Sequence, residues 1–392
     1  MTSAVIVDVV RTPSGRGKPG GALSGVHPTD LLADVLKSLA ERNRLDPAIL
    51  DDVIGGCVSQ AGQQTYNITR SAVLGAGFPE NIPAVTIDRQ CGSSQQAAAF
   101  AAQGVIAGAY DVAIACGVES MSRNPIGYST LGDDIYGSRV AERYPDGLVG
   151  QGISAELIAN KWGLSRDQLA EFSALSHERA AAAQSAGAFD SEIVAVTTGS
   201  GQVTMDETIR ASTTVGGLVE LPSAFHTPEL AERFPELRWL ITPGNSSPLT
   251  DGASAALIMS EDKARDLGLT PRARFHSFAV VGSDPIFMLD GVIPATAKVL
   301  ARAGLSIDDM DAYEVNEAFA PVPLAWLKET GADPAKLNPR GGAIALGHAL
   351  GSSGTRLLAT LLNHLESTGG RFGLQVMCEG GGMANATIIE RI

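Results

Sequence analysis

The sequence predicts an α/β protein made of two similar halves, and three features of the chain lead to this prediction. Strand-like segments alternate with helical segments before residue 119. The same alternation returns after residue 245. Between these positions Gly, Pro, Ser and Asp become frequent and the rhythm is lost. Alternation of this kind is typical of a layered domain with a largely parallel sheet.

In the first stretch, apolar runs bounded by turn residues predict four strands separated by helices. The strands are expected at residues 4–10, 51–58, 84–88 and 111–120. The helices are expected at residues 27–43, 67–77 and 93–109. Thr29 is the expected N-cap of the first helix, because its hydroxyl can accept a hydrogen bond from the first turn.

The second stretch repeats this pattern. Its strands are expected at residues 253–260, 273–282 and 311–318, with two more around the glycine cluster of residues 372–392. Its helices are expected at residues 261–268, 294–304, 320–331 and 351–370. We therefore expect an N-terminal half from residues 1–118 plus 246–268, and a C-terminal half from residues 269–392.

Residues 119–245 are expected to form an inserted loop domain that covers a functional site. One clear helix is predicted within it, at residues 165–187. Loops of this length in compact proteins are usually functional or disordered.

Composition excludes several classes of protein. The 392 residues are 44% apolar and 18% charged, which is ordinary for a globular protein. No apolar run is long enough to span a membrane, and the N-terminus lacks the basic start of a signal peptide, so a cytoplasmic location is expected. The net charge of −14 argues against a nucleic-acid partner. The four cysteines lie far apart and the histidines do not cluster, which predicts neither disulfides nor a metal site.

Four polar residues fall at the predicted strand ends, where α/β sheets form their sites. A strand ending at Gly56-Cys57 is followed 34 residues later by Cys91, and a strand ending at Asn316 is followed 32 residues later by His348. A Gly-Ser-Ser helix start follows each of the two. The next strands end at Cys116-Gly117 and at Cys378. Cys91 and His348 are therefore expected at equivalent corners of the two halves, where they can meet.

Each of these residues has a plausible role in chemistry and a plain structural alternative. Cys91 precedes a helix start, which stabilises a thiolate, yet a lone cysteine is commonly a small buried residue. His348 is a candidate base or a structural residue in a glycine-rich turn. Asn316 is a candidate polar group or a helix cap. The backbone N–H groups after Cys378 form a candidate oxyanion pocket or a tight turn.

Together, four segments resemble the signature blocks of the thiolases: DRQCGSSQQA, VNEAFA, GGAIALGHALGSSGTR and CEGGGMANA. The resemblance extends from IVDVVRTPSGRGKPGGAL to the final TIIERI. It implies the thiolase fold, in which two βαβαβαββ halves stack as α-β-α-β-α layers. The opening block is more similar to degradative 3-ketoacyl-CoA thiolases than to biosynthetic acetoacetyl-CoA thiolases.

The resemblance also implies roles for the individual residues. Cys91 would accept the acyl group and His348 would activate it. Cys378 would be the second acid/base, which protonates the leaving acetyl-CoA enolate. Asn316 would position a water that, with His348, stabilises the enolate oxygen. The backbone N–H groups of Cys91 and Gly380 would form the oxyanion hole.

Coenzyme A would be a substrate, with no tightly bound cofactor. The segments DETIR, LPSAF and TPGNSSPLTDGASA resemble the family's CoA-binding stretch. The residues implied in binding are Arg210 at the nucleotide end, Ser247 at the pantetheine arm, and Gln151, Ala318 and Phe319. Members of the family are dimers or tetramers, so a homodimer or homotetramer is expected.

Three departures from the family's pattern concern the acyl group. Ala349 follows His348 where the family usually has Pro, and Met383-Ala384 follows the glycine turn where many members have another Gly. Gln151 stands where short-chain biosynthetic members commonly have Met after a His. These changes leave the four catalytic candidates in place and leave the acyl specificity open.

The expected function is an acyltransferase reaction. A 3-ketoacyl-CoA would be cleaved by CoA to acetyl-CoA and a shortened acyl-CoA through an acyl-Cys91 intermediate, in fatty-acid or related degradation. One alternative is a biosynthetic acetyl-CoA acetyltransferase. Another is a decarboxylating ketoacyl synthase, which needs no second thiol such as Cys378. A third is a non-catalytic acyl-CoA-binding protein, which requires a lost catalytic residue.

Overall fold

The structure is a computed structural model that describes residues 3–392. The strands are β1 Ala4–Arg11, β2 Gly15–Arg16, β3 Asp52–Gly56, β4 Ala84–Ile87, β5 Val112–Ser120, β6 Val196–Thr198, β7 Gly201–Val203, β8 Thr250–Ser260, β9 Ala273–Gly282, β10 Ala312–Val315, β11 Phe372–Glu379 and β12 Met383–Arg391. The α-helices are α1 Pro28–Arg42, α2 Ile68–Gly75, α3 Ser93–Ile106, α4 Gly137–Arg143, α5 Gln151–Lys161, α6 Arg166–Ser185, α7 Val215–Val219, α8 Pro228–Arg233, α9 Glu261–Asp266, α10 Val292–Ala303, α11 Pro321–Thr330, α12 Ala343–Leu346 and α13 Ser353–Thr368.

The two halves have the same strand order. The N-terminal sheet runs β4-β3-β5-β8-β1, and the C-terminal sheet runs β10-β11-β12-β9. They meet through a short antiparallel contact in which Val5 and Ile6 of β1 pair with Arg274 and Ala273 of β9. In the described part of the chain, the counterpart of β4 is reduced to one bridge between Tyr313 and residue 337. The prediction of an α/β fold with two similar halves is confirmed.

Five layers result from the way the helices cover these sheets. Apolar residues of α3 and α13, such as Ala101 and Leu361, pack in one cluster with β1 and β9, so these helices lie between the sheets. Helices α1 and α2 pack on the outer face of the N-terminal sheet. Helices α10 and α11 pack on the outer face of the C-terminal sheet. The layers are therefore α-β-α-β-α.

The central helices α3 and α13 touch at their first turns. A Cβ atom added to Gly354 of α13 would overlap the backbone N of Gln95 of α3, so only glycine allows this approach. The backbone N–H of Thr355 also donates to Ser94 Oγ (3.0 Å). Because both helices begin at this crossing, the residues just before each helix lie in one region between the sheets.

The internal repeat has a more exact register than the sequence indicates. Asp51 and Asp311 each cap the start of the strand next to them, β5 and β11 respectively, through two backbone N–H groups. Helices α3 and α13 begin 260 residues apart, as do these two aspartates.

The same offset of 260 residues pairs Val118, not Cys116, with Cys378. It pairs His348 with Asp88 and not with Cys91. The equivalences expected from the motifs were therefore wrong by two or three residues, because glycine-rich motifs can be aligned in several registers.

Residues 121–249 connect β5 to β8, where the C-terminal half has only the turn 380–382 between β11 and β12. This connection contains five helices, α4 to α8, and the β6–β7 hairpin, so the expectation of a single helix was wrong. Helix α5 has no amphipathic period because residues 152–159 are all buried. Helix α6 carries a capping box between Ser165 and Gln168.

The expected cap of α1 was also wrong. His27 is the N-cap, and its Nδ1 accepts a hydrogen bond from the backbone N–H of Thr29 (3.2 Å). Pro28 occupies the first helical position, where its missing N–H costs nothing. Within residues 3–392, the structure contains no helix whose length and apolar character would let it cross a membrane.

A buried ionic cluster fastens the connection to the N-terminal sheet. The guanidinium of Arg11 on β1 pairs with Glu192 (2.6 Å) and Asp206 (2.7 Å) and lies over the ring of Phe189. Burial opposes the charge of Arg11, but the two carboxylates outweigh burial and raise its pKa. All three charged side chains are buried, so each depends on the others for neutralisation.

We expect Arg11→Met to lower the free energy of unfolding by about 3–5 kcal/mol, because two buried carboxylates lose their partner. Equilibrium urea denaturation measures this difference. Arg265→Met is the control, since Arg265 pairs with Asp262 on the surface and such pairs contribute about 0–1 kcal/mol. Equal losses of unfolding free energy in the two variants would contradict the stabilising role assigned to the buried Arg11 cluster.

Candidate active site

The four candidate catalytic residues are buried near the carboxyl ends of the strands. Asn316 directly follows β10, and Cys378 is the next-to-last residue of β11. These strands are parallel, and the backbone N–H of Asn316 donates to the carbonyl oxygen of Val376 (3.0 Å). Cys91 and His348 precede the two helices that cross between the sheets. All four residues are at most 4% exposed.

Cys91 lies at the start of α3 in a strained connection. Gln90, just before it, has φ +48°, a left-handed conformation uncommon for a side chain of this kind. The backbone N–H of Gly380 lies near the Sγ atom and favours its ionised form, and Gln151 Nε2 lies 4.0 Å from it. Burial dominates these contacts and raises the pKa of Cys91 to about 12. The resting residue is therefore a thiol that needs a base.

His348 is held in one tautomer by its neighbours. Its Nδ1 lies 2.7 Å from Ser353 Oγ, and that hydroxyl lies 2.8 Å from the carbonyl oxygen of Ala349, which can only accept. Ser353 therefore donates to Ala349 and accepts from Nδ1–H, which leaves Nε2 without a proton. Burial, followed by the charge of Arg356, lowers the pKa of His348 to about 3. The ring is neutral and Nε2 is free to act as a base.

Asn316 faces this basic nitrogen. Its Nδ2 lies 3.3 Å from His348 Nε2 and can donate to it. Its Oδ1 is buried and has no hydrogen-bond partner among residues 3–392. Buried carbonyl oxygens are usually paired, so this atom is suited to a donor that arrives with the reaction.

Cys378 is a second buried thiol beside the first. Burial raises its pKa well above the ordinary value, and the charges of Cys91 and Glu379 raise it further. Two residues later, Gly380 directs its backbone N–H at the Cys91 sulfur. The site therefore combines two buried thiols, a neutral imidazole and a backbone N–H, which are groups that can serve as nucleophile, base, proton donor and donor to a developing negative charge.

Most of the residues predicted to contact CoA adjoin this centre. Ser247 donates to the carbonyl oxygen of Ala318 through both its backbone N–H and its hydroxyl (3.0 Å each). Phe319 packs edge-on against Phe225, with ring centroids 6.1 Å apart. Gln151 contacts the Cys91 sulfur, as described above.

Arg210 has a different setting from these residues. It is an exposed residue beyond the β6–β7 hairpin, and its backbone N–H donates to His177 Nδ1 (3.1 Å).

Sequence reasoning missed three residues that support the site. Glu119 accepts from the backbone N–H of Gly351 (2.9 Å) and from Gln64 Nε2 (2.7 Å), which fixes the loop after His348 to the N-terminal half. Ser353 sets the tautomer of His348, and Arg356 helps to keep it neutral. Glu119 had a visible signal, an acid near the end of an apolar strand, but its partners lie far away in the chain.

For residues 3–392, no group of three or more His, Cys, Asp or Glu side chains is placed to hold a metal ion.

Two family models match almost the whole chain. Residues 4–262 match the model described as "Thiolase, N-terminal domain", and residues 269–391 match "Thiolase, C-terminal domain". A Mycobacterium tuberculosis protein named "Steroid 3-ketoacyl-CoA thiolase FadA6" is 48% identical over 100% of this chain and 95% of its own length.

Proteins named "3-ketoacyl-CoA thiolase" from Pseudoalteromonas translucida and Serratia proteamaculans are 43% and 44% identical. In both cases the match covers 100% of each chain.

We expect Ser353→Ala to slow the acylation of Cys91 by acetoacetyl-CoA about 10²-fold, since His348 loses the partner that leaves Nε2 free to act as a base. Stopped-flow mixing followed by mass spectrometry of the intact protein measures this rate. The exposed Ser306→Ala is the control and should keep the rate. An unchanged rate in Ser353→Ala would show that this contact does not set the tautomer.

Proposed function

The chain belongs to the thiolase family, and we propose that it cleaves a 3-ketoacyl-CoA with coenzyme A to acetyl-CoA and a shortened acyl-CoA. The observation that carries this proposal is the pair of buried thiols, Cys91 and Cys378, with the backbone N–H of Gly380 near the Cys91 sulfur. The neutral His348 precedes the helix whose first turn crosses the helix after Cys91. The relatives named 3-ketoacyl-CoA thiolase support the degradative direction.

The first half-reaction uses His348 as the base for Cys91. His348 Nε2 takes the thiol proton while the sulfur attacks the 3-keto carbon of the substrate. The backbone N–H groups of Cys91 and Gly380 stabilise the resulting oxyanion. The bond between C2 and C3 then breaks, the acetyl-CoA enolate takes a proton from Cys378, and the shortened acyl group remains on Cys91. The protonated His348, together with a water positioned by Asn316, stabilises the enolate oxygen.

The second half-reaction returns each proton. The Cys378 thiolate takes the proton of an incoming CoA thiol, and the CoA sulfur attacks the acyl group on Cys91. The Cys91 sulfur leaves and recovers its proton from His348. The acyl group on Cys91 and the acyl-CoA product are both thioesters, so this second transfer has little energetic cost.

The biosynthetic alternative uses the same groups in reverse, with Cys378 as the base that deprotonates acetyl-CoA. The decarboxylating synthase is less well supported, because it leaves the buried Cys378 thiol without a role. We also propose that Ser247, Ala318 and Phe319 hold the pantetheine arm, that Gln151 borders the acyl group and that Arg210 meets the nucleotide end. A free nucleophilic thiol suits a reducing compartment, which supports a cytoplasmic location.

We expect Cys378→Ala to lose carbon–carbon cleavage by at least about 10³-fold, because the enolate has no proton donor. The same variant should lose much less of its exchange of labelled CoA with acetyl-CoA, since this exchange breaks no carbon–carbon bond and needs Cys378 only for the proton of the CoA thiol. Thiolysis is followed by the loss of the enolate absorbance of a 3-ketoacyl-CoA, and exchange by the label.

Cys91→Ala is the matched control for this experiment and should lose both reactions and the acyl adduct. Cleavage that survives in Cys378→Ala, or an adduct that forms in Cys91→Ala, would refute the assigned roles. A panel of substrates with linear and ring-bearing acyl groups then defines the acyl specificity.

We propose that the chain forms a homodimer through β4. This strand is last in the sheet order, and among the described strands only β3 pairs with it. Val85 on β4 and Phe100 on α3 are each 41% exposed, and Ile106 is 43% exposed. An unpaired apolar edge strand is a template for another strand, and antiparallel pairing with a second copy of β4 is self-complementary.

We expect Val85→Lys to shift the sedimenting species to the monomer mass, because the lysine places a charge in the shared edge. Sedimentation equilibrium measures the mass. Met205→Lys, at a residue that is 62% exposed outside this surface, should keep the mass of the wild-type protein. An oligomer that persists in Val85→Lys would place the interface elsewhere.

A further inference from the structure

The carboxylate of Glu379 is buried close to both thiols, because its charge acts on Cys91 and on Cys378. Glu379 follows Cys378 and precedes Gly380 at the end of β11. Its side chain lies against the start of α3, since a Cβ atom on Gly92 would overlap Oε1 and would lie 2.8 Å from Asn385 Nδ2. Neither carboxylate oxygen has a hydrogen-bond partner among residues 3–392.

Four charged or titratable groups face this carboxylate. Asp88 and Arg89 belong to the segment between β4 and α3, Cys91 to the start of α3, and Cys378 to β11. On β12, the neutral Asn385 donates to the carbonyl oxygen of Gly92 (3.1 Å). Burial raises the pKa of Glu379 to about 8, and the opposing charges of Arg89 and Asp88 shift it down and up respectively.

A small cavity gives water access to this region. It has a volume of about 140 Å³ and lies between α3 and strands β9 and β12. Arg89, Gln96, Gln103 and Asn385 are among its polar lining residues. Buried polar atoms in it, including Arg89 Nε, Gln96 Oε1 and Asn385 Oδ1, have no partner within residues 3–392. Roomy polar cavities hold ordered water, so water can reach Arg89 and Asn385, the two cavity residues nearest to the Glu379 carboxylate.

We propose that Glu379 is a positioning residue that, when ionised, opposes the ionisation of Cys91 and Cys378. A thiolate at Cys91 and a carboxylate at Glu379 compete for the same positive end of α3. Two negative charges that lie close together inside a protein repel each other strongly. The ionised carboxylate therefore keeps both sulfurs protonated at alkaline pH.

The negative charge of Glu379 would help the proposed thiolysis, and this part of the inference rests on that proposed function. Thiolysis needs Cys378 as an acid, so a resting thiolate there is unproductive. It also needs the Cys91 proton to pass to His348 as the substrate binds, and a resting thiolate is open to alkylation and oxidation. The ionised Glu379 opposes the early ionisation of Cys378 and of Cys91 without touching the substrate.

The test compares alkylation of Cys91 by iodoacetamide in the wild-type protein and in Glu379→Gln from pH 6.5 to 10, with the modified peptide quantified by mass spectrometry. Near pH 6.5–7 the carboxyl is protonated, so the two rates should agree within about twofold. Above pH 8 the variant should react faster, by about tenfold at pH 9.5, which corresponds to one pKa unit at Cys91. Parallel profiles over the whole range would overturn the proposal.

Glu314→Gln is the matched control. Glu314 is also buried with a pKa raised to about 8, but its charged neighbours are Arg356, Glu317, Glu192 and Arg340, and no thiol is among them. This variant should keep the wild-type alkylation profile. A profile like that of Glu379→Gln would show that any buried carboxylate has this effect, and would overturn the specific role.

A second variant, Arg89→Gln, keeps the test decisive if Glu379→Gln does not fold. Loss of Arg89 raises the pKa of Glu379, so the carboxyl stays neutral to higher pH and Cys91 should react faster between pH 8 and 9. A direct effect of Arg89 on the thiol has the opposite sign and would slow the reaction. A slower or unchanged rate therefore overturns the proposal. Alkylation needs no turnover, so a failure of the thiolase assignment would be seen separately, as absent thiolysis.

Discussion

The contact between the first turns of α3 and α13 is the constraint on which the site depends. Gly354 lets the two helices meet at backbone distance, and the Ser94 hydroxyl joins them. Because the crossing lies between two sheets, the segments that carry Cys91 and His348 have no freedom to separate. A larger residue at Gly354 would move apart the two segments that carry Cys91 and His348. Packing in the central layer thus sets the geometry of the chemistry.

Burial then determines the charge of every reacting group. In this low-dielectric region the thiols of Cys91 and Cys378 stay protonated and the imidazole of His348 stays neutral. The site therefore holds its protons until a substrate supplies a carbonyl on which charge can develop. The Gly380 N–H group lies near the Cys91 sulfur, so little reorganisation would be needed for it to stabilise a charge that develops there.

Much of this could be predicted from the sequence because it depends on local patterns. The strand ends and the motifs around Cys91, His348 and Cys378 are short and contiguous, and they led to the fold and family that were confirmed. The supporting residues depend on contacts between distant segments. Glu119 holds a loop 232 residues away. Helix α5 was missed because it is buried on all sides and so has no polar face, although it carries Gln151 to the Cys91 sulfur.

The internal repeat explains why two similar halves form a single site and not two. At an offset of 260 residues, Cys378 corresponds to Val118, His348 to Asp88, and Cys91 to Gly351. The two halves supply the same strand ends and helix starts, but each reactive side chain is present in only one of them. A single site therefore forms, because the two halves share a backbone arrangement but carry different side chains at equivalent positions. The connections between the equivalent strands also differ between the halves. In the C-terminal half a tight glycine turn follows Cys378 and contains Gly380, whereas in the N-terminal half residues 121–249 bring Gln151 to the Cys91 sulfur.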